Sequence, residues 1–130
     1  MTECRTVSVS IQSPPDRLYD YLSNPTRFPE WSAFITKIEP EGAVWRATTP
    51  LGTLHIEFVP RNTYRILDHT VTTADGSRVH VPMRVVPNGS DGSEVMLSVF
   101  RRPDMTNEQF LADITTVKDD LASLKRVLES

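Results

Sequence analysis

Alternating apolar and polar residues mark the first element of the chain. Val7, Val9 and Ile11 alternate with serines, which is the period-two pattern of a strand with one buried face. The pattern predicts a strand over Arg5–Ile11 whose apolar side faces a core.

Two short helical segments are predicted after this strand. Ser13 is a suitable cap and Pro14 a favourable first helical residue, so together they predict a helix start. Asn24 has the character of a second cap, and Pro29 is expected to end the short turn that follows it.

Six further strands are predicted in the middle of the chain. Turn signals rich in proline and glycine separate them, and connections this short make neighbouring strands antiparallel. The predicted strands are Ile35–Glu39, Val44–Thr49, Thr53–Val59, Tyr64–Thr73, Arg78–Val86 and Glu94–Arg101.

The same alternation predicts which strand residues point inward. His69 falls on the inward side of its strand with Leu67 and Val71, whereas His55 and His80 fall on the outer side of theirs. The alternation is less clean in the strand that contains His69, so the opposite register stays open there.

A long amphipathic helix is the clearest pattern of the chain. Thr106 and Gln109 form a capping box at its start. A helix of about 22 residues would extend over roughly 33 Å. Its apolar residues recur at alternating spacings of four and three, namely Phe110, Ile114, Val117, Leu121, Leu124 and Leu128.

The order of these elements predicts an α+β helix-grip fold. A seven-stranded curved antiparallel sheet would wrap around the long C-terminal helix. Because a twisted sheet is curved, one straight helix contacts it only along a band. The space beyond that band predicts an apolar cavity, the usual place for a small-molecule site.

Composition and charge narrow the classes of function. A net charge of -3 without a basic run argues against binding to nucleic acid, and no apolar stretch approaches the ~20 residues that span a bilayer. Cys4 is the only cysteine, which excludes an internal disulfide, and the first residues lack a signal-peptide pattern. These features predict a cytoplasmic protein, and its state as a monomer or homodimer stays open.

Several stretches resemble the START-like (SRPBCC) superfamily, which includes bacterial polyketide cyclase/dehydrase and lipid-transport proteins. The resemblance implies one ligand-binding domain over residues 1–130, with an internal cavity and no cofactor. It implies no catalytic motif, and a shared fold does not assign chemistry. The stretches that carry it are Ser13–Leu22, Asn24-Pro25, Phe28–Trp31, Tyr64–His69 and Phe100–Thr106.

Aromatic and aliphatic side chains are expected to line the cavity. Trp45, for example, would face inward between Ala43 and Ala47, whose small side chains leave free volume. Each such residue could equally belong to a filled core. The predicted lining set is Trp31, Phe34, Trp45, Phe58, His69, Met83, Phe110 and Ile114.

Two polar residues are candidates for chemistry. His69 could orient a ligand oxygen or act as a general acid or base, or its ring could be packed with its nitrogens bonded locally. Arg101 could bind a carboxylate or phenolate at the cavity mouth, or lie exposed at a strand end. No metal site is predicted, because the alternation separates His69 from the other two histidines.

Three functions remain open from the sequence. The first is binding or carrying a small apolar or aromatic metabolite, lipid-like or polyketide-like. The second is a cyclase/dehydratase-type enzyme in which His69 or Arg101 moves a proton or stabilises an enolate. The third is a protein-interaction module, such as a chaperone partner, that uses the outer face of the sheet.

Overall fold

The computed structural model describes residues 1–130. Eight strands, two α-helices and one 3₁₀ helix follow the predicted order. In chain order they are β1 (Cys4–Ile11), α1 (Pro15–Leu22), the 3₁₀ helix (Pro25–Glu30), β2 (Lys37–Glu41), β3 (Val44–Thr49), β4 (Gly52–Phe58), β5 (His69–Thr72), β6 (Arg78–Val81), β7 (Met83–Asn88), β8 (Gly92–Phe100) and α2 (Asn107–Glu129).

The strands form two antiparallel sheets instead of the single seven-stranded sheet that was predicted. One sheet has three strands in the order β1-β8-β7, and the other has five in the order β2-β3-β4-β5-β6. The class of fold, antiparallel strands with a long C-terminal helix, agrees with a helix grip, but the prediction of one continuous sheet is wrong.

Pro82 explains where the sheet divides. It lies inside the predicted strand Arg78–Val86 and separates β6 from β7, because proline has no backbone N–H to give to a ladder. Across from it, the side chain of Asp68 replaces a ladder bond, since its Oδ1 accepts the backbone N–H of Met83 at 2.9 Å. A side chain thus takes the place of regular pairing at this point.

The predicted strand Tyr64–Thr73 is also shorter than expected, and only its second half forms β5. Arg65 has a φ of 57°, which is the left-handed region and interrupts a strand. The Asn62 Oδ1 accepts the backbone N–H groups of Tyr64 and Ile66 at 3.0 and 3.1 Å. This turn chemistry outweighs the strand pattern.

The short helices were predicted at the right places, but the roles of Ser13 and Pro29 differ from the prediction. Ser13 does not cap α1: the cap position is Pro14, without a side-chain hydrogen bond, and the buried Ser13 Oγ has no partner. The Asn24 side chain does accept the backbone N–H of Thr26 at 3.2 Å. Pro29 was also expected to end this turn, but it lies inside the 3₁₀ helix, which continues to Glu30.

Helix α2 supplies a large part of the apolar core. It packs across β1 and contacts β8, and Phe110, Leu121 and Leu124 are at most 1% exposed. The capping box is confirmed, since Thr106 Oγ1 accepts the Gln109 N–H at 3.1 Å and Gln109 Oε1 accepts the Thr106 N–H at 2.8 Å. Neither helix has the length and apolar character needed to cross a membrane.

Candidate functional site

A largely apolar cavity of about 250 Å³ lies beside the middle of α2. The helix forms one wall, the 3₁₀ helix and the segment after it form another, and residues of β5, β6, β7 and β8 form the rest. Its apolar lining consists of Phe28, Trp31, Ile35, Val79, Val81, Met83, Leu97, Val99, Phe100, Val117 and Leu121.

The division of the sheet at Pro82 positions this cavity. β8 pairs with β7 as far as Leu97, opposite Met83, and one further bond joins the Ser98 N–H to the Pro82 carbonyl at 3.0 Å. Beyond it no ladder joins β6 to β8, although both strands line the cavity. The proline therefore leaves a space between β6 and β8 that a continuous sheet would not have.

His69 is a deeply buried polar side chain of the cavity wall, at 8% exposed, and Ser32 is another at 7%. Its ring centroid lies 4.9 Å from that of Phe58 and 6.5 Å from that of Phe28. The Nδ1 lies 2.9 Å from the Leu67 carbonyl, which can only accept, so Nδ1 carries the hydrogen. Sequence alternation left this register open, and the structure places Leu67 and His69 on the buried side.

The environment of His69 favours its neutral form. Burial lowers the pKa of the ring, and this effect exceeds the opposing influence of the Leu67 carbonyl and of Asp68. With Nδ1 as the donor, the neutral ring has Nε2 as a hydrogen-bond acceptor, and no protein group bonds to it. The cavity wall therefore contains a ring nitrogen that can accept a hydrogen bond from a ligand.

Two carboxylates of α2 also line the cavity, and the sequence analysis did not identify them. Burial raises the pKa of Asp113, although Arg102 acts in the opposite direction. Burial likewise raises the pKa of Asp120, whose Oδ1 accepts the backbone N–H of Ala33 at 3.3 Å. This bond ties the segment after the 3₁₀ helix to α2 at the cavity wall.

Arg101 and Arg102 have different surroundings. Arg101 does not line the cavity: its guanidinium donates to Asn107 Oδ1 at 3.0 Å and to the Met105 carbonyl at 3.3 Å, and lies 3.5 Å from Glu3. Arg102 is half-buried, lines the cavity and has no side-chain hydrogen bond. Arg101, the arginine that the sequence suggested, thus anchors the connection between β8 and α2. Arg102, the next residue, borders the cavity instead.

The other predicted lining residues divide between the cavity and its surroundings. Trp31 and Met83 line the cavity with His69. Phe34 lies instead in a neighbouring, more polar hollow of about 560 Å³, which shares Arg102 with the cavity. Phe58 packs against the ring of His69 and does not line the cavity.

Three predicted lining residues belong to the packing around the cavity. Phe110 and Ile114 are buried in the core, and Trp45 packs against it half-buried. The helical stripe correctly marked apolar positions, but it could not tell which turn of α2 faces the hollow. The two carboxylates that were missed, Asp113 and Asp120, each directly precede a residue of that stripe, a position that does not by itself indicate a cavity.

The remaining histidines do not join His69 in a metal centre. His55 pairs with Glu41 on the outside of the sheet, with Nε2 2.7 Å from Oε2. His80 is exposed, although part of it borders the cavity. No three His, Cys, Asp or Glu side chains converge as metal ligands would.

Antiparallel strands, a long C-terminal helix and a cavity between them define a helix-grip protein with an internal hollow. The chain belongs to the family described as polyketide cyclase / dehydrase and lipid transport, which matches residues 4–129. No curated protein matches the chain.

Several solved structures share the fold. The protein XoxI from Bacillus cereus is 17% identical over 100% of this chain and 97% of its own, with a TM-score of 0.81. A START superfamily protein from Mycobacterium smegmatis is 11% identical over 97% of both chains, with a TM-score of 0.78. The Zhui aromatase/cyclase from Streptomyces sp. R1128 is 13% identical over 99% of this chain and 94% of its own, with a TM-score of 0.70. At these identities the similarity concerns the fold.

Proposed function

We propose that residues 1–130 form one ligand-binding domain, which binds and carries a small apolar or aromatic metabolite in the cavity beside α2. The observation that carries the proposal is an apolar hollow of about 250 Å³ whose wall includes few polar groups, among them the buried ring of His69. Ligand sites typically combine mostly apolar walls with a few placed polar groups. The proposed compartment is the reducing cytoplasm, where the exposed thiol of Cys4 would stay free.

The size of the cavity limits the ligand. An engineered cavity of about 150 Å³ accommodates benzene, so 250 Å³ has room for about two fused rings. A longer ligand would have to continue into the neighbouring hollow beyond Arg102. The cavity therefore suits a compact lipid-like or polyketide-like metabolite.

The chemistry of His69 suggests how such a ligand is oriented. A hydrogen bond from a ligand donor to this nitrogen would contribute on the order of 0.5–1.5 kcal/mol. The neutral Nε2 would accept a hydrogen bond from a ligand hydroxyl or N–H group. The aromatic rings of Phe28 and Trp31, with centroids 5.1 Å apart, would pack against its apolar part.

A cavity-filling substitution tests this proposal. Val117→Phe places a ring in the cavity from its α2 wall, whereas Val127→Phe makes the same change on the same helix away from the lining residues. With 2-naphthol as probe and fluorescence titration as readout, Val117→Phe should weaken binding at least roughly ten-fold and Val127→Phe should not.

Two outcomes would contradict the proposal. One is an absence of saturable binding of 2-naphthol to the native chain, with no small molecule detected by native mass spectrometry of the purified protein. The other is equal affinity of native chain and Val117→Phe, with both variants confirmed as folded by circular dichroism.

A cyclase/dehydratase-type activity is the second candidate. It is favoured by the neutral ring of His69 and by two carboxylates with raised pKa values in one cavity, which is the type of arrangement that acid–base catalysis uses. With a poly-β-ketone substrate, His69→Ala should reduce the rate about 100-fold or more if this residue transfers protons. A carrier would lose only a modest part of its affinity. A protein-interaction module would be expected to have a filled core and an exposed apolar patch, and the cavity argues against the first of these.

A further inference from the structure

The cavity wall contains more carboxylates than guanidinium groups. Its carboxylates are Asp113 and Asp120, and its only guanidinium belongs to Arg102. Arg102 acts on the carboxylate of Asp113, whereas Asp120 has no cationic side chain within ion-pair distance. The wall therefore has two carboxylates and one guanidinium.

Asp120 is held in place by the backbone and not by a cation. Its Oδ1 accepts the Ala33 N–H at 3.3 Å, and the hydroxyl of Ser32 lies close enough to act on its titration. The side chain is half-buried. A fixed carboxylate of this kind can accept further charge-assisted hydrogen bonds, which are stronger than bonds between neutral groups.

A second, independent group of the same cavity also accepts and does not donate. His69 is 8% exposed, its Nδ1 hydrogen is used by Leu67, and its Nε2 has no partner. One wall, on β5, therefore has an unpaired acceptor and another wall, on α2, has an unneutralised carboxylate. A ligand that satisfies both must carry hydrogen-bond donors.

Aromatic side chains that line the same cavity as Asp120 are a third feature that favours a cationic ligand. Trp31 and Phe28 line the cavity as a tilted pair with ring centroids 5.1 Å apart, and Trp31 directly precedes the Ser32–Ala33 segment that Asp120 holds. Aromatic faces attract cations, and tryptophan does so most strongly. An ammonium group would meet a carboxylate and aromatic rings in the same region, whereas a carboxylate ligand would meet repulsion.

We propose that the ligand is a small apolar molecule bearing an amine, whose ammonium group binds at Asp120 and whose ring system occupies the apolar chamber. This inference rests on the proposed binding function and specifies the ligand class for that cavity. Asp120 is then a specificity-determining residue.

Three probes of nearly equal size test the inference. They are 2-naphthylmethylamine, 2-naphthalenemethanol and 2-naphthoic acid, which at neutral pH are cationic, uncharged and anionic. In isothermal titration calorimetry the native chain should bind the amine at least roughly ten-fold more tightly than the acid, as a charge-assisted bond implies.

Asp120→Asn provides the matched variant. The amide oxygen keeps the bond to Ala33, and only the charge is removed. Affinity for the amine should fall roughly ten-fold, while affinity for the alcohol should change little. Asp119→Asn is the control, because it removes the same charge from the adjacent exposed position, which does not line the cavity. Asp119 acts on Asp120 only through its charge, so this variant should lower the amine affinity much less than Asp120→Asn does.

The results separate this inference from the proposed function. If the acid binds as tightly as the amine, or if Asp120→Asn leaves the amine affinity unchanged while the alcohol still binds, the amine proposal is overturned and the binding function stands. If none of the three probes binds, both proposals are overturned.

Discussion

At the scale of single residues, His69 connects the aromatic packing to the cavity. Phe58 and Phe28 surround its ring, and the bond from Nδ1 to the Leu67 carbonyl fixes which nitrogen carries the hydrogen. The free acceptor is therefore Nε2. A histidine that is neutral because of burial is well suited to hold an uncharged donor of a ligand.

The lowered pKa of His69 makes stability depend on pH. The ordinary pKa of 6.5 applies to the unfolded chain, so below about pH 6.5 the unfolded chain binds a proton that the folded chain does not. The contribution of His69 to stability is fully present above this pH and decreases as pH falls below it. Asp68 and His80 are the other titratable groups that act on the ring.

Urea unfolding at about pH 7.5 and about pH 5.5 measures this effect. Between the two conditions the native chain should lose up to about 1.4 kcal/mol more of its free energy of unfolding than His69→Gln, which cannot titrate. The variant serves as the control for all other titrating groups. Equal losses in both proteins would show that the His69 pKa is not lowered by burial.

Residue-level prediction from the sequence was partial in the strand that contains His69. The alternation favoured an inward His69 but left the opposite register open, and the burial of Leu67 and His69 selects the favoured register. Asp113 and Asp120 were missed because they flank the apolar stripe of α2, where a carboxylate is normally exposed. Only the position of the cavity along the helix shows that they border it.

At the scale of elements, Pro82 determines how β6 and β8 are related. The bond from the Ser98 N–H to the Pro82 carbonyl sets an antiparallel register that would place His80 opposite Phe100. Because proline cannot return a bond, the ladder ends there. The cavity wall therefore contains two strands that are close in space but not hydrogen-bonded to one another.

Restoring an N–H at this position should extend the ladder. Pro82→Val can donate to the Ser98 carbonyl, and a valine suits a strand. Hydrogen exchange should then show slower exchange of the Phe100 amide, and 2-naphthol should bind at least roughly three-fold more weakly because the cavity is narrowed. Pro87→Val, in the exposed end of β7, is the control. Unchanged exchange at Phe100 and unchanged affinity would contradict the role given to Pro82.

Element prediction was most accurate for helices with local signals. The capping box of Thr106 and Gln109 and the apolar stripe located α2 to within about one residue of its observed bounds. The strands around Pro82 were placed correctly but joined into one, because their apolar alternation continues across the proline. Alternation describes which side a residue faces and not whether its backbone finds a partner.

At the scale of the whole molecule, the element order predicted the helix grip and the hollow inside it. One straight helix cannot cover a curved sheet completely, and this alone implies a hollow. The extent of the hollow could not be predicted, since it depends on where the sheet divides and on which side chains fill the remaining space. The division into three- and five-stranded sheets and the Asp68 bond to Met83 are properties of the folded chain.

Intermolecular nuclear Overhauser effects between 2-naphthol and a methyl-labelled chain test the central claim most directly. The account predicts saturable binding, with contacts from the probe to the methyl groups of Val79, Val81 and Val117, which line the cavity, and none to Val127. Saturable binding with contacts confined to methyl groups outside the cavity, or no saturable binding, would contradict it.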